Sequence, residues 1–315
     1  MWIDILIVFT KKTVFSTTIK KAAFFLLAFM LFSLQGVSYS EEKTIAVIVS
    51  KKIKPYMQVL KGIEKGIDKN ISHDMDIFFL SPKNNQQDKI KSTLLKKEYD
   101  LFLAIGPEAS TLIWSMNTTD TQGKIFSAVL DPHQIISSRN PACGVSLKIP
   151  VNTQLKEINS ALPGIKNIGL LFDQKYNHTF FKKAVLSSKD NGLTVIPLGV
   201  SSKKDIPRIL KENLNRIDCV WMIPDQTVIS EKIVQYVIKQ SLYQKKGVIG
   251  YNSFFIRSGA VFAFKFDYSK IGNQTAGRVN AYFKEGQCTP VVPIFDKTIN
   301  VKIARTLGMQ ARGGE

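Results

Sequence analysis

The chain is poor in the residues that usually hold metals or form redox centres. It contains three cysteines and three histidines among 315 residues, and the histidines lie too far apart to form a ligand cluster. An odd number of cysteines cannot all pair within one chain, and their spacing matches no metal or redox motif. Cys219 opens an apolar segment and is interpreted as a buried residue, whereas Cys143 and Cys288 could form a disulfide. We expect no metal and no other cofactor.

The sequence also lacks the arrangements on which common enzymes depend. It has no Gly-x-Ser-x-Gly, no serine or cysteine with a plausible histidine partner, no phosphate-binding glycine-rich loop and no acid pair with a distinctive spacing. Asp173 and Asp225 could form a hydrolase pair, but no other feature of the sequence requires one. We therefore expect a protein that is not an enzyme.

Acidic residues are in the minority, since 43 lysines and arginines face 25 aspartates and glutamates and give a formal net charge of +18. Such a balance can indicate a nucleic-acid partner, an anionic membrane surface or merely solvated helices. The lysines are scattered as pairs, such as Lys96-Lys97 and Lys182-Lys183, and no dense basic run is interleaved with aromatic residues. Solvated helix faces are the better interpretation, and no nucleic-acid partner is expected.

The longest apolar run lies near the N-terminus. Lys20-Lys21 precedes "AAFFLLAFMLFSL" (22–34), and the small-residue site Ser38-Tyr39-Ser40 follows. This order is typical of a secretory signal peptide, so residues 1–40 are interpreted as one. The run is shorter than the roughly 20 residues of a membrane-spanning helix, although the additional apolar "WIDILIVF" leaves an uncleaved anchor as an alternative. We expect an exported, periplasmic protein.

From residue 44 onward, short apolar segments alternate with amphipathic ones. Near-continuous apolar strands separated by helices are typical of parallel sheets that are covered on both faces. A polar loop from Pro132 to Pro141 divides the pattern into two series, which predicts an α/β fold of two doubly wound parallel-sheet lobes. A strand over 259–267 and a helix over 271–286 follow the second series. The strands predicted in the two series are 44–50, 75–80, 100–106, 124–131, 167–173, 194–200, 219–225 and 247–251.

Polar residues collect where these predicted strands end. In open parallel sheets, ligands bind beyond the carboxyl ends of the strands, close to helix N-termini. Carboxylates and amides from both series would suit a small zwitterion, and Tyr176 or Phe254 could cover its apolar part. Asp225 in "CVWMIPDQTVIS" can be interpreted in two ways, because an aspartate in this position either caps the following helix or faces a ligand.

Several stretches resemble one known family in the same order along the chain. They include "AIGPEASTLIWSMNTTDTQGKIFSAVLDP", "LPGIKNIGLLFDQKYN", "IPDQTVIS" and "GVIGYNSFFIRSGAVFAFKFDYSKIGNQTAGR". The family is that of the ABC-transporter substrate-binding proteins with a type I periplasmic binding fold, in the branch that includes predicted tryptophan and tyrosine binders. The resemblance extends from Thr44 to Met309. One departure is that aromatic binders often have Asp-Asn where this chain has Asp225-Gln226.

The resemblance implies two lobes joined by a three-segment hinge, with the ligand between them. The first lobe would comprise 44–137 and 259–287, and the second 138–258 and 288–309. The crossovers would lie near Pro132–Pro141, Ser253–Gly259 and Gln287–Pro293. The ligand contacts carried over by position fall at Ser50, Gly106, Glu108, Asp131, Asp173, Tyr176, Asn177, Asp225 and Asn252.

The expected function follows from this resemblance together with the export signal. The chain would be a monomeric solute-binding component that captures a small-molecule ligand and delivers it to an ABC permease in the inner membrane. An alternative is a periplasmic sensing module of the same fold, which would present its ligand to a membrane receptor or kinase.

Overall fold

The computed structural model describes residues 42–81, 86–116, 122–136 and 142–313. The predicted signal peptide and the loop at 137–141 lie outside these ranges. Within them, no helix is both long enough and apolar enough to cross a membrane.

The first sheet has five strands, all parallel, in the order β2-β1-β3-β4-β5. Side chains of β1 alternate between its two faces: Val47 packs in the cluster beneath the first helix, and Ile48 packs in the cluster on the opposite face. This double burial explains why the strands read as nearly continuous apolar segments. The strands are β1 (Lys43–Val49), β2 (His73–Phe79), β3 (Leu101–Ile105), β4 (Gly123–Val129) and β5 (Cys143–Ser146), and the helices between them are α1 (Lys54–Gly66), α2 (Gln86–Leu94) and α3 (Pro107–Trp114).

The second sheet has six strands in the order β11-β10-β9-β8-β6-β7, and only β11 is antiparallel to its neighbour. Apolar clusters again cover both faces, with Leu170 in one and Leu171 in the other. The strands are β6 (Asn167–Asp173), β7 (Thr194–Val200), β8 (Cys219–Met222), β9 (Gly247–Gly250), β10 (Phe262–Lys265) and β11 (Asp296–Ile299). The helices of this part are α4 (Val151–Ala161), α5 (Gln174–Asp190), α6 (Ile206–Asn213), α7 (Glu231–Tyr243), α8 (Ser253–Arg257) and α10 (Val301–Thr306). Two α/β lobes with mostly parallel sheets confirm the predicted fold class.

The lobe boundaries differ from those expected in two places. Strand β5 pairs with β4, so the chain leaves the first lobe only after Ser146 and not within Pro132–Pro141. Strand β10 pairs with β9, so it belongs to the second lobe and not to the first, and the chain crosses back after Lys265. The third crossover follows Val291, which still bridges Val145 of the first sheet. Backbone pairing decides these assignments, and β5 is too short and too rich in small residues to give an apolar pattern of its own.

Helix α9 (Tyr268–Glu285) returns the chain to the first lobe and packs along α1. The two helix backbones touch, because a Cβ atom on Gly272 would overlap the carbonyl oxygen of Val59 and one on Gly62 would overlap that of Ser269. Only glycine permits so close an approach. The helix ends at Gly286 in the left-handed conformation (φ 69°), as the sequence predicted.

A disulfide joins Cys143 and Cys288, whose Cα atoms are 5.5 Å apart. It connects β5 to the segment after α9, and the amide of Val291 donates to the carbonyl of Gly144 at 3.0 Å beside it. Cys219 is a free, buried thiol, as its apolar surroundings in the sequence indicated. The first and third crossovers therefore start side by side in the first lobe.

We expect the double variant Cys143→Ser/Cys288→Ser to lose about 2–5 kcal/mol of unfolding free energy, because the bond closes a long loop in the unfolded chain. Chemical denaturation of both proteins, with and without a reducing agent, measures this. The reductant should destabilise the wild type and leave the double variant unchanged, since Cys219 is a thiol in both. Labelling of all three thiols in the unreduced, denatured wild type would contradict the pairing.

Candidate ligand-binding site

Ser50 and Gly106 lie together at the carboxyl ends of β1 and β3. The buried Ser50 hydroxyl oxygen accepts a hydrogen bond from the backbone amide of Ala109 at 2.8 Å, which fixes the start of α3. Gly106 has φ 92°, and a Cβ atom there would lie 2.7 Å from Ser50 Oγ and 2.8 Å from Cζ of Tyr56. A glycine is therefore required for both its backbone conformation and the close approach of the Tyr56 ring.

Glu108 follows in the first turn of α3 and forms an ion pair with Lys51 at 2.7 Å. Its second carboxylate oxygen, Oε2, is buried and accepts no hydrogen bond. Burial alone would raise the pKa of the Glu108 carboxyl, but hydrogen bonds from Lys51, from its own backbone amide and from the Ser50 hydroxyl, together with the charge of Lys51, outweigh it and hold the pKa below its usual value. The group is therefore a carboxylate at neutral pH.

Two tyrosines that were not predicted as ligand contacts, Tyr56 of α1 and Tyr268 at the start of α9, belong to this group. Burial, followed by the charge of Glu108 and the proximity of Tyr268, raises the pKa of Tyr56 to about 12. Burial also raises the pKa of Tyr268. Both phenols are therefore neutral hydrogen-bonding groups, and that of Tyr56 lies near the charged carboxylate of Glu108. Tyr56 follows Pro55 in the "KKIKPY" stretch. The rotation of α1 about its axis turns the ring toward the strand ends, and the sequence does not show this rotation.

Asp225 organises the corresponding edge of the second lobe. The residue is only 3% exposed. Oδ2 accepts hydrogen bonds from the backbone amide of Asp173 and from Nδ2 of Asn177, both at 2.7 Å, and Oδ1 accepts from the amide of Thr227 at 2.9 Å. Asp225 does not cap a helix, because α7 begins only at Glu231 and has Ser230 as its cap. It joins the loop after β8 to the loop after β6.

Asp173 takes part in the same network. Oδ1 accepts from the amide of Lys175 at 2.8 Å and caps α5, and Oδ2 accepts from the hydroxyl of Thr227 at 2.6 Å. Asn177 departs from helical geometry (φ −121°) within α5, at the position where its side chain reaches Asp225. The structure thus brings Asp173, Asn177 and Asp225 together as predicted and adds Thr227, whose role the sequence did not indicate.

The three remaining predicted contacts lie at the margins of these two groups. Tyr176 is 51% exposed and has the Lys175 ammonium 5.2 Å from its ring centroid. The Asn252 side chain accepts from the amide of Phe254 at 3.0 Å and caps α8. Asp131 pairs with Lys148 at 3.4 Å, next to the first crossover. None of the three contacts the carboxylate of Asp225 or Glu108 by a hydrogen bond or ion pair in the described part of the chain.

The two edges lie close to each other because the second crossover is short. Lys265 ends β10 at the carboxyl edge of the second sheet, and Tyr268 is already next to Tyr56 in the first lobe. Three residues of extended chain span at most about 11 Å. Within the described residues, no hydrogen bond or ion pair joins the Glu108 group to the Asp225 group. The arrangement is therefore two polar surfaces, one on each lobe, next to a common hinge.

Exposed apolar side chains border both polar surfaces. Ile53 (43% exposed) and Leu130 (43%) follow the carboxyl ends of β1 and β4, whereas Tyr176 (51%) and Ile229 (51%) follow those of β6 and β8. Other exposed apolar side chains, such as Leu95 and Leu186, lie elsewhere on the described surface, so these four only provide apolar area that another molecule, or the opposite lobe, can cover.

A family model described as "ABC transporter substrate binding protein" matches residues 44–312. The chain belongs to this family, which confirms the resemblance seen in the sequence. The family is one of substrate-binding proteins, so a small-molecule ligand and an ABC permease are the partners that membership implies. A comparison with curated proteins found no match.

Solved structures with the same fold are similar to the chain over most of its length. An ABC domain from Streptococcus pneumoniae in complex with L-Trp is 20% identical, with a TM-score of 0.57 over 86% of this chain and 96% of that one. A ligand-free, open substrate-binding protein with adhesive properties from Clostridium difficile is 21% identical, with a TM-score of 0.70 over 87% and 97%. A conserved domain protein from Vibrio cholerae is 21% identical, with a TM-score of 0.57 over 85% and 95%.

We expect Asp225→Ala to destabilise the ligand-free protein by about 3 kcal/mol, because three buried donors would lose a charged acceptor. Chemical denaturation measures the change. Asp190→Ala, which removes an exposed carboxylate at the end of α5, is the matched control and should stay within about 0.5 kcal/mol of the wild type. Equal stability of the two variants would show that Asp225 is not a structural link.

Proposed function

We propose that the chain is the exported solute-binding component of an ABC importer. It binds an amino acid or a similar zwitterion between its lobes and delivers it to the permease. The observation that carries the proposal is the pair of polar surfaces at the carboxyl edges of two parallel sheets, next to a hinge of three short crossovers. Ligands of open α/β sheets bind at such edges.

The chemistry of the two surfaces supports a zwitterion. Carboxylates, above all Glu108, can hold an ammonium group, while the N-terminal turn of α3 presents free backbone amides that suit a carboxylate. The rings of Tyr56 and Tyr268 can cover an apolar body. The L-Trp bound to the Streptococcus pneumoniae protein makes tryptophan the first compound to test.

The apolar borders of the lobes support a hinge mechanism. In the open state Ile53, Leu130, Tyr176 and Ile229 face water, and closure would bury them against the opposite lobe or the ligand. A ligand that contacts both lobes has a higher affinity for the closed state and therefore shifts the population towards it. The closed form is the one that the permease would recognise.

The disulfide supports the proposed location. Pairs such as Cys143 and Cys288 form and persist in oxidising compartments and are rare in the cytosol. This agrees with the signal peptide predicted over residues 1–40 and with a monomer that functions in the periplasm.

The test combines binding and shape. Thermal shift assays with amino acids, amines, sugars and nucleosides should show stabilisation by amino acids or similar zwitterions. The compound that stabilises the protein most is called the active compound. Small-angle scattering should show a smaller radius of gyration of the protein with the active compound than without it. Deletion of the gene should abolish uptake of that compound. Loss of a signalling response with normal uptake would instead support the sensing module. Absence of binding by any solute class would refute the proposal.

We expect the double variant Tyr176→Ala/Ile229→Ala to bind the active compound about tenfold more weakly, because roughly 1–2 kcal/mol of apolar burial in the closed state would be lost. Titration calorimetry measures the affinity. Tyr243→Ala, which removes a ring that is 83% exposed on the last turn of α7, is the control and should leave binding unchanged. An equal loss in both variants would argue against closure over this border.

A further inference from the structure

The two aspartates of the second lobe that were predicted as ligand contacts, Asp173 and Asp225, are already engaged within the protein. Asp225 accepts three hydrogen bonds and Asp173 accepts two, and both residues are 3% exposed. A ligand cation could reach them only by replacing hydrogen bonds that hold two loops together. Breaking such a buried network is costly. Among the described residues, the carboxylates of Asp173 and Asp225 are therefore not free to bind a cation at this edge.

Glu108 differs from both aspartates. Among the described residues, its Oε2 is the one carboxylate oxygen that is buried without a hydrogen-bond donor. Its other oxygen forms an ion pair with Lys51, whose side chain is 62% exposed. An ion pair with so exposed a partner contributes little to stability, so the lysine can leave at small cost. The buried, unpaired oxygen is the feature of this edge that still lacks a partner.

The surroundings of Glu108 suit an organic cation. Tyr56 is coupled electrostatically to Glu108 and its ring lies against Gly106 just before α3, so one aromatic ring lies near the carboxylate. Aromatic faces attract ammonium groups and at the same time pack against apolar ligand bodies. The Lys51 ammonium shows that a primary amine fits against Oε1 at 2.7 Å.

We propose that Glu108, and not Asp173 or Asp225, binds the cationic group of the ligand, and that Lys51 is an internal counter-ion that the ligand replaces. The inference rests on the proposed function and adds the ligand class, which is a primary amine on an apolar body. Glu108 becomes the residue that determines specificity, and Lys51 competes with the ligand.

The test uses three probes of similar shape, namely L-tryptophan, tryptamine and indole-3-propionate. The wild type should bind the two amines and not the propionate, which lacks an ammonium group. Glu108→Gln should weaken the binding of both amines at least about tenfold, as expected when a charged hydrogen-bond partner is lost. Lys51→Met should strengthen the binding of tryptamine about three- to tenfold, because the competing ammonium is gone. Titration calorimetry measures all the affinities.

Glu64→Gln is the matched control, since Glu64 is exposed on α1 and carries the same charge, and its affinities should equal those of the wild type. Affinities of Glu108→Gln within threefold of the wild type, combined with a lower melting temperature of the ligand-free protein, would mean that Glu108 only caps and stabilises α3 and would overturn the inference.

The broader panel separates this inference from the proposed function. Stabilisation by sugars, nucleosides or carboxylates without an amine would refute the role of Glu108, although the protein would still be a solute-binding protein. A wild type that no solute stabilises would refute both.

Discussion

The direction of the strands is the constraint on which the site depends. In a parallel sheet every strand ends at the same edge, so residues as distant in sequence as Ser50 and Glu108 become neighbours. In the second lobe the same edge brings Asp173 and Asp225 close enough for the Asp173 amide to donate a hydrogen bond to the Asp225 carboxylate. Because the strand cores are apolar on both faces, polar groups collect only after the strands end.

The hydrogen bonds of Asp225 show how one of these edges is kept in shape. Two of its three donors belong to Asp173 and Asn177, which are 52 and 48 residues away in the sequence. A buried carboxylate that accepts hydrogen bonds from three donors stabilises the loops that carry those donors, and a ligand could bind to it only by replacing these hydrogen bonds. At the opposite edge, Oε2 of Glu108 is buried without a hydrogen-bond partner, and the ion-pair partner of Glu108 is the exposed Lys51. The two lobes therefore contribute differently: one provides a fixed surface and the other provides an unsatisfied group.

Much of the fold could be predicted from the sequence, because apolar segments such as "NIGLLFD" and "TVIPLGV" are long and unbroken. Strands β5 and β11 could not be predicted in this way. The first is only four residues long and includes Gly144, and the second is a polar edge strand, so neither has an apolar pattern. The lobe assignment of β10 was wrong because backbone pairing with β9 decides it, and no side-chain pattern records that pairing.

The site followed the same division. Ser50, Gly106 and Glu108 could be predicted because they directly follow strands. Tyr56 and Tyr268 could not, because they reach the edge from helices whose rotation about the sheet is set by packing. The close contact of α1 with α9 fixes that rotation.

The pairing of Cys143 with Cys288 has a consequence for how the lobes can move. Two of the three segments between the lobes leave the first lobe from residues that are joined by a covalent bond and by the bridge between Val145 and Val291. In the proposed closure these two segments bend together, which favours rotation of one lobe toward the other about a single axis over twisting or sliding. The bond thus acts on the direction of the proposed motion more than on its extent.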